Sequence, residues 1–327
     1  MFHHYIRYIA AFYDIQADKA GIVSLGAGEI LPERDLVHHL KPDSVHGQIR
    51  VEKFIDVKPL RFMVHLVHNL LEQVVAGTVQ GMRGGQFDFS PRLLMFTLPF
   101  LAQNRAQVTA LLQSDLAKKV CAEAEAETGT VIINLCDAGG WRQFSNGKHP
   151  ITKPEDLQGL KMRTNGMNTI DKTFIALGAT TTTIPYSDLY MGLKTGVADG
   201  QENPWVNVEG MKFYEVQKYF TEVNYQFHPD PFYVNAAWWN GLPQEYRDII
   251  SECATEMGTY NDQLIDENQA AAKQVVIDAG CEVYEPSEEE LKAFQEAVQV
   301  VYDQCVEEGI MTADELKEMQ DIVANTK

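Results

Sequence analysis

The sequence has few basic residues for its length. Its 27 lysines and arginines face 46 aspartates and glutamates, so the 327 residues carry a formal net charge of −19. Such a chain repels polyanions on average, which argues against nucleic acid or an acidic membrane surface as a partner. Long apolar runs are also lacking, because even the apolar stretch 91–102 contains Pro91, Arg92 and Pro99. A membrane-spanning helix needs roughly 20 apolar residues, so the sequence predicts a soluble protein.

Cysteine patterns and enzyme motifs are missing as well. The five cysteines are widely spaced, with no Cys-x-x-Cys pair and no Cys/His cluster at metal-ligand spacing. Their odd number argues against a full disulfide framework and favours free thiols. HExxH, GxSxG and Walker A motifs are absent, and Gly26-Ala27-Gly28 lacks the third glycine of a dinucleotide-binding fingerprint. We therefore predict no metal, no cofactor and no catalytic residues.

The opening segment, residues 1–35, shows neither a helical nor a strand period. Glycines and Pro32 interrupt it, so we treat it as an extension of uncertain structure. Its first 13 residues contain a basic residue and a short apolar run, but they lack the small-residue cleavage pattern of a secretory signal. We expect no signal peptide in this stretch.

From residue 36 onward the sequence predicts alternating strands and helices. The first predicted elements are a strand at 36–40, a helix at 45–57, a strand at 60–67, a helix at 70–76 and a strand at 78–82. The next are a short helix at 154–158, a strand at 160–164, a helix at 170–177, a strand at 180–185 and a helix from Ser187 to Gly196. Strands and helices in this order predict a mostly parallel sheet covered on both faces.

The last third is predicted to be helical. Apolar residues recur on one side of 260–279, and Ser287 with Glu290 forms a capping box for a helix running to about Glu308. Such helices most often cover sheets.

Two arginines are candidates for binding an organic anion. Arg142 follows the glycine-bounded turn Gly139-Gly140-Trp141, and Arg163 ends a predicted strand, where open α/β sheets bind small molecules. A guanidinium presents paired donors that match the two oxygens of a carboxylate. Two such groups in one cleft would select an organic acid, whereas the alternative is a pair of surface salt bridges.

The stretch ADGQENPW, residues 198–205, packs acids, amides and a proline behind a predicted helix. Pro204 holds Asn203 in an extended conformation and has no N–H to donate, so we predict a stiff loop that presents the Asn203 amide. An amide can meet a carboxylate oxygen with its donor and a neighbouring arginine with its acceptor. Gln201 and Glu202 are predicted to be structural.

Three longer stretches carry a resemblance to a known family. They are WRQFSNGKHPITKPEDLQGLKMRTNG (141–166), ALGATTTTIPYSDLYMGLKTGVADGQENP (176–204) and KFYEVQKYF (212–220), with weaker similarity over roughly 36–310. Together they resemble the periplasmic solute-binding proteins of tripartite ATP-independent periplasmic (TRAP) transporters.

The resemblance implies an α/β fold of the periplasmic binding protein type. Two α/β lobes with mostly parallel sheets would surround a ligand cleft and be joined by crossing strands and a long helix. Lobe I would comprise residues 36–140 plus 229–268, and lobe II residues 141–228 plus 269–327. The expected protein is a periplasmic monomer, not an enzyme, that delivers a small organic acid to the membrane subunits of a TRAP permease.

The resemblance also implies roles for individual residues. Arg163 matches the family arginine that makes the main salt bridge to the ligand carboxylate, and Arg142 matches a second arginine near the ligand. Asn203 matches an asparagine that hydrogen-bonds the same carboxylate. Tyr186 occupies a position that often packs on the ligand.

Other candidate ligand contacts rest on weaker grounds. Trp205 follows Pro204 and would line the cleft, although core packing is the alternative. Gln86 and, more weakly, Arg83 belong to a loop in which family members place polar groups facing the ligand. His39 ends the first predicted strand.

Several alternatives stay open at this point. The ligand would be a dicarboxylate, a sugar acid, a keto acid or an aromatic acid. A binding protein of the same fold would also suit a sensor or chemoreceptor. An α/β enzyme acting on an organic acid is the third alternative, and it would need a general base or cofactor near Arg163.

Overall fold

The computed structural model describes residues 23–25, 29–31, 81–83 and 90–326. The chain divides into two compact units, residues 1–59 with 242–256 and residues 60–241 with 257–327. The elements predicted between residues 36 and 76 lie outside the described residues. The lobe boundaries proposed from the sequence therefore stay predictions.

The first unit contains a short antiparallel hairpin. Strand β1 (Val23–Leu25) pairs with β2 (Glu29–Leu31), with Val23 opposite Leu31. This unit also contains the beginning of a long helix, α7 (Gln244–Asp278), whose later turns belong to the second unit. The helix predicted at 260–279 is thus confirmed, and it begins 16 residues earlier than expected.

One sheet of the second unit has three antiparallel strands in the order β3-β10-β4. They are β3 (Gly81–Arg83), β4 (Thr130–Asp137) and β10 (Pro229–Asn235). Strand β3 overlaps the end of the strand predicted at 78–82.

The other sheet has six strands in the order β11-β9-β5-β8-β6-β7. They are β5 (Arg142–Asn146), β6 (Lys161–Thr164), β7 (Thr180–Thr183), β8 (Gly200–Pro204), β9 (Tyr219–Thr221) and β11 (Glu282–Tyr284). Three of its five strand pairs are parallel, and the two pairs that involve β5 are antiparallel. The sheet is therefore mixed, because β5 runs antiparallel to both of its neighbours, β8 and β9.

Helices cover these sheets in the described part of the chain. In addition to α7 they are α1 (Arg105–Leu112), α2 (Asp115–Thr128), α3 (Asn168–Ala176), α4 (Leu189–Lys194), α5 (Trp205–Gly210), α6 (Ala236–Asn240), α8 (Glu288–Ala297), α9 (Gln299–Glu307) and α10 (Ala313–Asn325). None of the helices described between residues 90 and 326 is both long and apolar enough to span a membrane.

The observed helix ends test the capping residues that were predicted from the sequence. The capping box of Ser287 and Glu290 is confirmed at the start of α8, but the helix expected to reach Glu308 is two helices that break at Val298. The prediction that Ser187 caps a helix is wrong, because Ser187 lies inside a short 3-10 helix, Tyr186–Asp188, that starts directly after Pro185. Gly196, with φ of +75°, follows α4 as predicted.

Two apolar clusters form the core of the second unit. The larger cluster centres on the rings of Phe144, Phe174 and Tyr225, with ring centroids 4.9–6.2 Å apart. The smaller one contains Trp205 and Phe220, whose ring centroids are 5.7 Å apart. Strand β5 contributes Phe144 to the larger cluster, and Ala198 and Trp205 of the smaller cluster flank β8, so polar residues on both strands have well-packed neighbours.

Candidate functional site

The candidate site is built on the antiparallel pair β5–β8. Residues 200–204, expected to form a loop, are instead a strand in which every residue is buried. Their register places Arg142 opposite Pro204 and Gln143 opposite Asn203. The loop prediction was wrong because the polar residues of this stretch find partners within the sheet, which the sequence alone does not reveal.

Arg142 is paired with a buried carboxylate. Its Nε donates to Glu202 Oε2 in a short contact, and its Nη2 donates to Glu202 Oε1 at 2.9 Å. Nη2 also lies 3.2 Å from the Glu202 backbone oxygen and from Asn203 Oδ1. Burial lowers the pKa of Arg142, but Glu202 raises it by more, so the guanidinium stays charged. This is a bidentate buried ion pair.

Glu202 has a second partner from another segment. Its side chain is fully buried, and its Oε2 accepts a hydrogen bond from the Tyr225 hydroxyl at 2.7 Å. Burial, and then Glu202, raise the pKa of Tyr225, so its hydroxyl keeps its proton and remains a donor. The tyrosine ring packs on Phe144 and Phe174, which holds the hydroxyl in place. The charge of Arg142 is therefore compensated within the protein.

Arg163 lies near the end of β6 and has a different environment from that of Arg142. The residue is 2 % exposed, and its Nε donates to the backbone oxygen of Ile184 at 2.7 Å. Among the described residues Arg163 has no ion-pair partner, and no acceptor lies within hydrogen-bond distance of its terminal nitrogens, Nη1 and Nη2. These two nitrogens are not fully buried. Burial lowers the pKa of Arg163 to about 10; Glu202 opposes this shift and Arg142 adds to it. A buried cation without a carboxylate is costly, so this site favours an anion from outside.

Asn203 links the ion pair to a row of amides. Its Oδ1 accepts from Arg142, and its Nδ2 donates to Gln201 Oε1 at 2.5 Å. Gln201 in turn donates to Ser145 Oγ at 2.8 Å. An amide nitrogen carries two hydrogens, so Asn203 keeps one donor for a ligand.

Tyr186 lies near both arginines. It is 36 % exposed, and its ring meets the edge of Phe213 with centroids 6.0 Å apart. Burial raises the pKa of Tyr186 to about 12, while Arg142 and Arg163 oppose the shift. A neutral, half-exposed ring beside two guanidinium groups suits the wall of a ligand site.

The structure places Trp205 in the core. It is 2 % exposed, packs on Phe220, and its Nε1 donates to Glu222 Oε1 at 3.1 Å. This placement favours the core alternative for Trp205, so we leave it out of the proposed site. His39 and Gln86 lie outside the described residues, and Arg83 is the last residue of β3.

A tight turn directly precedes Arg142, the first residue of β5. The Asp137 carboxylate accepts from the backbone N–H groups of Gly139 and Gly140 at 2.8 and 2.5 Å, and it pairs with Arg105 at 2.8 Å. Gly140 has φ of +90°, a conformation that side chains disfavour, and Gln269 would clash with a β-carbon there. The predicted glycine-bounded turn before Arg142 is confirmed.

Sequence reasoning missed Tyr225 and His228. Tyr225 anchors Glu202, and His228 is 6 % exposed in the extended segment that leads into β10. Burial lowers the pKa of His228 to about 3, and Arg142 adds to the shift, so the imidazole is neutral. Neither residue belongs to a local sequence motif, so only their tertiary contacts identify them as part of the candidate site.

Comparison with known proteins identifies the family. The family model described as bacterial extracellular solute-binding protein, family 7 (DctP) matches residues 68–309. The 2,3-diketo-L-gulonate-binding periplasmic protein YiaO of Escherichia coli is 30% identical over 296 residues, which cover 86% of this chain and 88% of YiaO. The C4-dicarboxylate-binding periplasmic protein DctP of Rhodobacter capsulatus is 30% identical and covers 72% of each chain. The chain belongs to this family of solute-binding proteins, as the resemblance predicted.

Solved structures confirm the fold class. A TRAP periplasmic solute-binding protein from Chromohalobacter salexigens with bound D-glucuronate superimposes with a TM-score of 0.72 at 26% identity, covering 78% of this chain and 84% of that one. A TRAP solute-binding protein from Shewanella oneidensis with bound succinate gives 0.71 at 26% identity, covering 78% and 83%. The predicted fold, that of a periplasmic binding protein, is confirmed.

Proposed function

We propose that this chain captures a small organic carboxylate in the periplasm and delivers it to the membrane subunits of a TRAP transporter. One observation carries the proposal: Arg163 is a buried cation whose terminal nitrogens have no acceptor among the described residues. The names of relatives support it, since they include proteins described as binding glucuronate, succinate and C4-dicarboxylates.

In this proposal each residue has a distinct task. Arg163 forms the bidentate salt bridge to the carboxylate, which replaces the water lost on burial of the cation. The free N–H of Asn203 donates to the same carboxylate and fixes its orientation. Tyr186 packs on the body of the ligand. Arg142 holds the Asn203 oxygen and stays paired with Glu202.

Binding without turnover fits the chemistry of the described cluster. The carboxylate that raises the pKa of Arg163, Glu202, is fully buried and already accepts hydrogen bonds from Arg142 and Tyr225. His228 is neutral but lies in the buried segment before β10. A general base needs hydrogen-bond reach to a substrate proton, and these contacts leave Glu202 occupied.

A thermal-shift screen against organic acids tests the proposal. A ligand present at 100 times its dissociation constant stabilises the folded state by about 2.7 kcal/mol. We expect a clear rise in melting temperature for one chemical group of carboxylates and none for neutral amides of the same acids. Mass spectrometry of the denatured protein reveals any acid that purifies with it. No shift with any acid, from protein free of bound ligand, would contradict the proposal.

A further inference from the structure

Four buried polar side chains form a continuous row of hydrogen bonds along the six-stranded sheet. Asn203 Nδ2 donates to Gln201 Oε1 at 2.5 Å, and Gln201 Nε2 donates to Ser145 Oγ at 2.8 Å. Ser145 Oγ then donates to Gln217 Oε1 at 3.3 Å. All four residues are at most 4 % exposed, so their polar groups depend on one another for hydrogen bonds. We call this row, Asn203-Gln201-Ser145-Gln217, the polar relay.

The direction of the hydrogen bonds is fixed at both ends of the polar relay. At one end Arg142 Nη2, which can only donate, lies 3.2 Å from Asn203 Oδ1. At the other end Gln217 Nε2 donates to the backbone oxygen of Val216 at 3.0 Å and to that of Asp199 at 3.4 Å. Backbone oxygens can only accept, so Gln217 must present its nitrogen to them and its oxygen to the relay.

These two ends determine every orientation between them. Because Asn203 presents its oxygen to Arg142, its nitrogen faces Gln201, which must offer an oxygen there. The nitrogen of Gln201 then faces Ser145, whose hydroxyl accepts it and donates its own hydrogen to Gln217. Turning any one of the three amides would place two donors or two acceptors together in a buried site, which is unfavourable. The amide of Asn203 therefore has one stable orientation.

Strand register places the polar relay on the same sheet face as Arg163. Ser145 of β5 lies opposite Gln201 of β8, and Met162 of β6 is level with Gly200 of β8. Successive strand residues point to opposite faces, so Arg163 shares the face of Gln201. The relay therefore orients an amide on the sheet face to which the proposed carboxylate-binding arginine belongs.

From this arrangement we infer that Gln201, Ser145 and Gln217 are positioning residues, which fix the amide of Asn203 so that its second N–H is presented to a ligand carboxylate. The inference rests on the proposed function, in which that N–H donates to the carboxylate. The three residues act through Asn203 and improve affinity by orienting its donor before the ligand arrives, since a freely turning amide would lose entropy on binding.

Nuclear magnetic resonance of the ligand-free full chain tests the fixed orientation itself. The side-chain NH₂ signals of Asn203 are those lost in Asn203→Asp. In Ser145→Ala, Gln201 loses its acceptor, so we expect the Asn203 signals to shift and its two hydrogens to exchange places faster. Gln143→Met is the matched control, because this buried glutamine lies opposite Asn203 but donates to Asn224 instead. Signals that stay unchanged in Ser145→Ala, or that change equally in Gln143→Met, would overturn the inference.

A double-mutant cycle tests the consequence for binding. Isothermal titration with D-glucuronate and with succinate, the acids bound in two of the similar structures, compares the wild type, Gln201→Met, Asn203→Ala and the double variant. We expect Gln201→Met to weaken binding about tenfold in the wild-type background and by less than about twofold in the Asn203→Ala background. An equal loss in both backgrounds, or no loss in either, would overturn the inference, since Gln201 would then not act through Asn203.

The results separate this inference from the proposed function. Wild-type affinity in Asn203→Ala, together with weakened binding in Arg163→Met, would refute the role of the polar relay and leave carboxylate capture intact. Failure of ligand-free protein to bind these two acids and every acid of the thermal-shift screen would contradict the proposed function and this inference with it.

Discussion

Arg142 and Arg163 are two buried arginines in one sheet with opposite electrostatic situations. Both are at most 5 % exposed, but Arg142 forms an ion pair with Glu202, whereas among the described residues Arg163 has only the Ile184 backbone oxygen as an acceptor. Burial alone would assign them the same role. In the proposed function, this difference in partners gives Arg142 a supporting role and leaves Arg163 to bind the ligand.

Strand pairing explains the difference. Arg142 belongs to an antiparallel pair, and its side chain lies diagonal to Glu202 on the same face of the neighbouring strand. Arg163 is the third of the four residues of β6, which lies between β7 and β8 and is parallel to both; on the β8 side the register joins only Met162 to Gly200. The carboxyl ends of parallel strands open toward a ligand crevice, and among the described residues no carboxylate of a neighbouring strand lies within hydrogen-bond distance of Arg163.

The largest expected effect follows from removing Arg142. Arg142→Met leaves the buried carboxylate of Glu202 without its cation, so we expect the free energy of unfolding of the ligand-free protein to fall by about 3–5 kcal/mol. Urea unfolding followed by circular dichroism measures it. The double variant Arg142→Met with Glu202→Leu should recover much of this loss. A single variant as stable as the wild type would show that the ion pair contributes nothing.

The next effect concerns the hydroxyl that anchors Glu202. Tyr225→Phe removes one of two side-chain donors to a buried carboxylate, and we expect a loss of about 1.5–3 kcal/mol in the free energy of unfolding. Phe100→Leu changes the aromatic neighbour of Tyr225 without touching Glu202 and serves as a packing control. If both variants lose the same stability at neutral pH and at pH 5, the hydroxyl has no special role.

A smaller effect on stability comes from His228, whose pKa is lowered by burial and by Arg142. Its pKa is about 3 in the folded protein and 6.5 in the unfolded chain, so between these values the unfolded chain binds a proton that the folded protein does not. Stability therefore falls as the pH drops through 6.5, and His228 should account for about 2 kcal/mol of the loss between pH 7 and pH 5.

Comparison of variants isolates this contribution. His228→Gln should reduce the pH dependence of the unfolding free energy by that amount, whereas His149→Gln, which changes an exposed histidine, should not. A wild-type pH dependence in His228→Gln would contradict the assignment.

The smallest expected change in stability belongs to Arg163. Replacing a buried, uncompensated cation by an apolar side chain of similar length removes a desolvation cost, so Arg163→Met should change the free energy of unfolding of the ligand-free protein by no more than about 1 kcal/mol, or raise it. Urea unfolding beside Arg142→Met gives the contrast. A loss as large as that of Arg142→Met would mean that Arg163 is paired within the folded protein.

Much of the middle of the fold was predictable from the sequence. The strand predicted at 160–164, the helix that ends before Gly178 and the capping box of Ser287 with Glu290 all depend on local periodicity or turn chemistry, and the structure contains each of them. Residues 200–204 were not predictable as a strand, because their polar side chains look like a loop until Arg142 and Ser145 are seen to satisfy them.

The candidate site was predictable only in part. Arg142, Arg163 and Asn203 were candidates from the local sequence pattern, and the resemblance implied their roles. The structure brings Arg142 and Asn203 into contact, and both Arg142 and Glu202 shift the pKa of Arg163. The pairing of Arg142 with Glu202 was not predictable, since it depends on the register of two strands separated by 53 residues of chain. Tyr225 reaches Glu202 through a third segment, which no local pattern indicates.

The most direct test of the central claim is a calorimetric titration of Arg163→Met with the acid that gives the largest thermal shift. The account predicts that its affinity falls by about 2–5 kcal/mol relative to the wild type, since a desolvated carboxylate loses its cation. Lys194→Met, which removes a cation from α4 far along the chain from β6, should bind normally. Wild-type affinity in Arg163→Met would contradict the claim that Arg163 anchors the ligand.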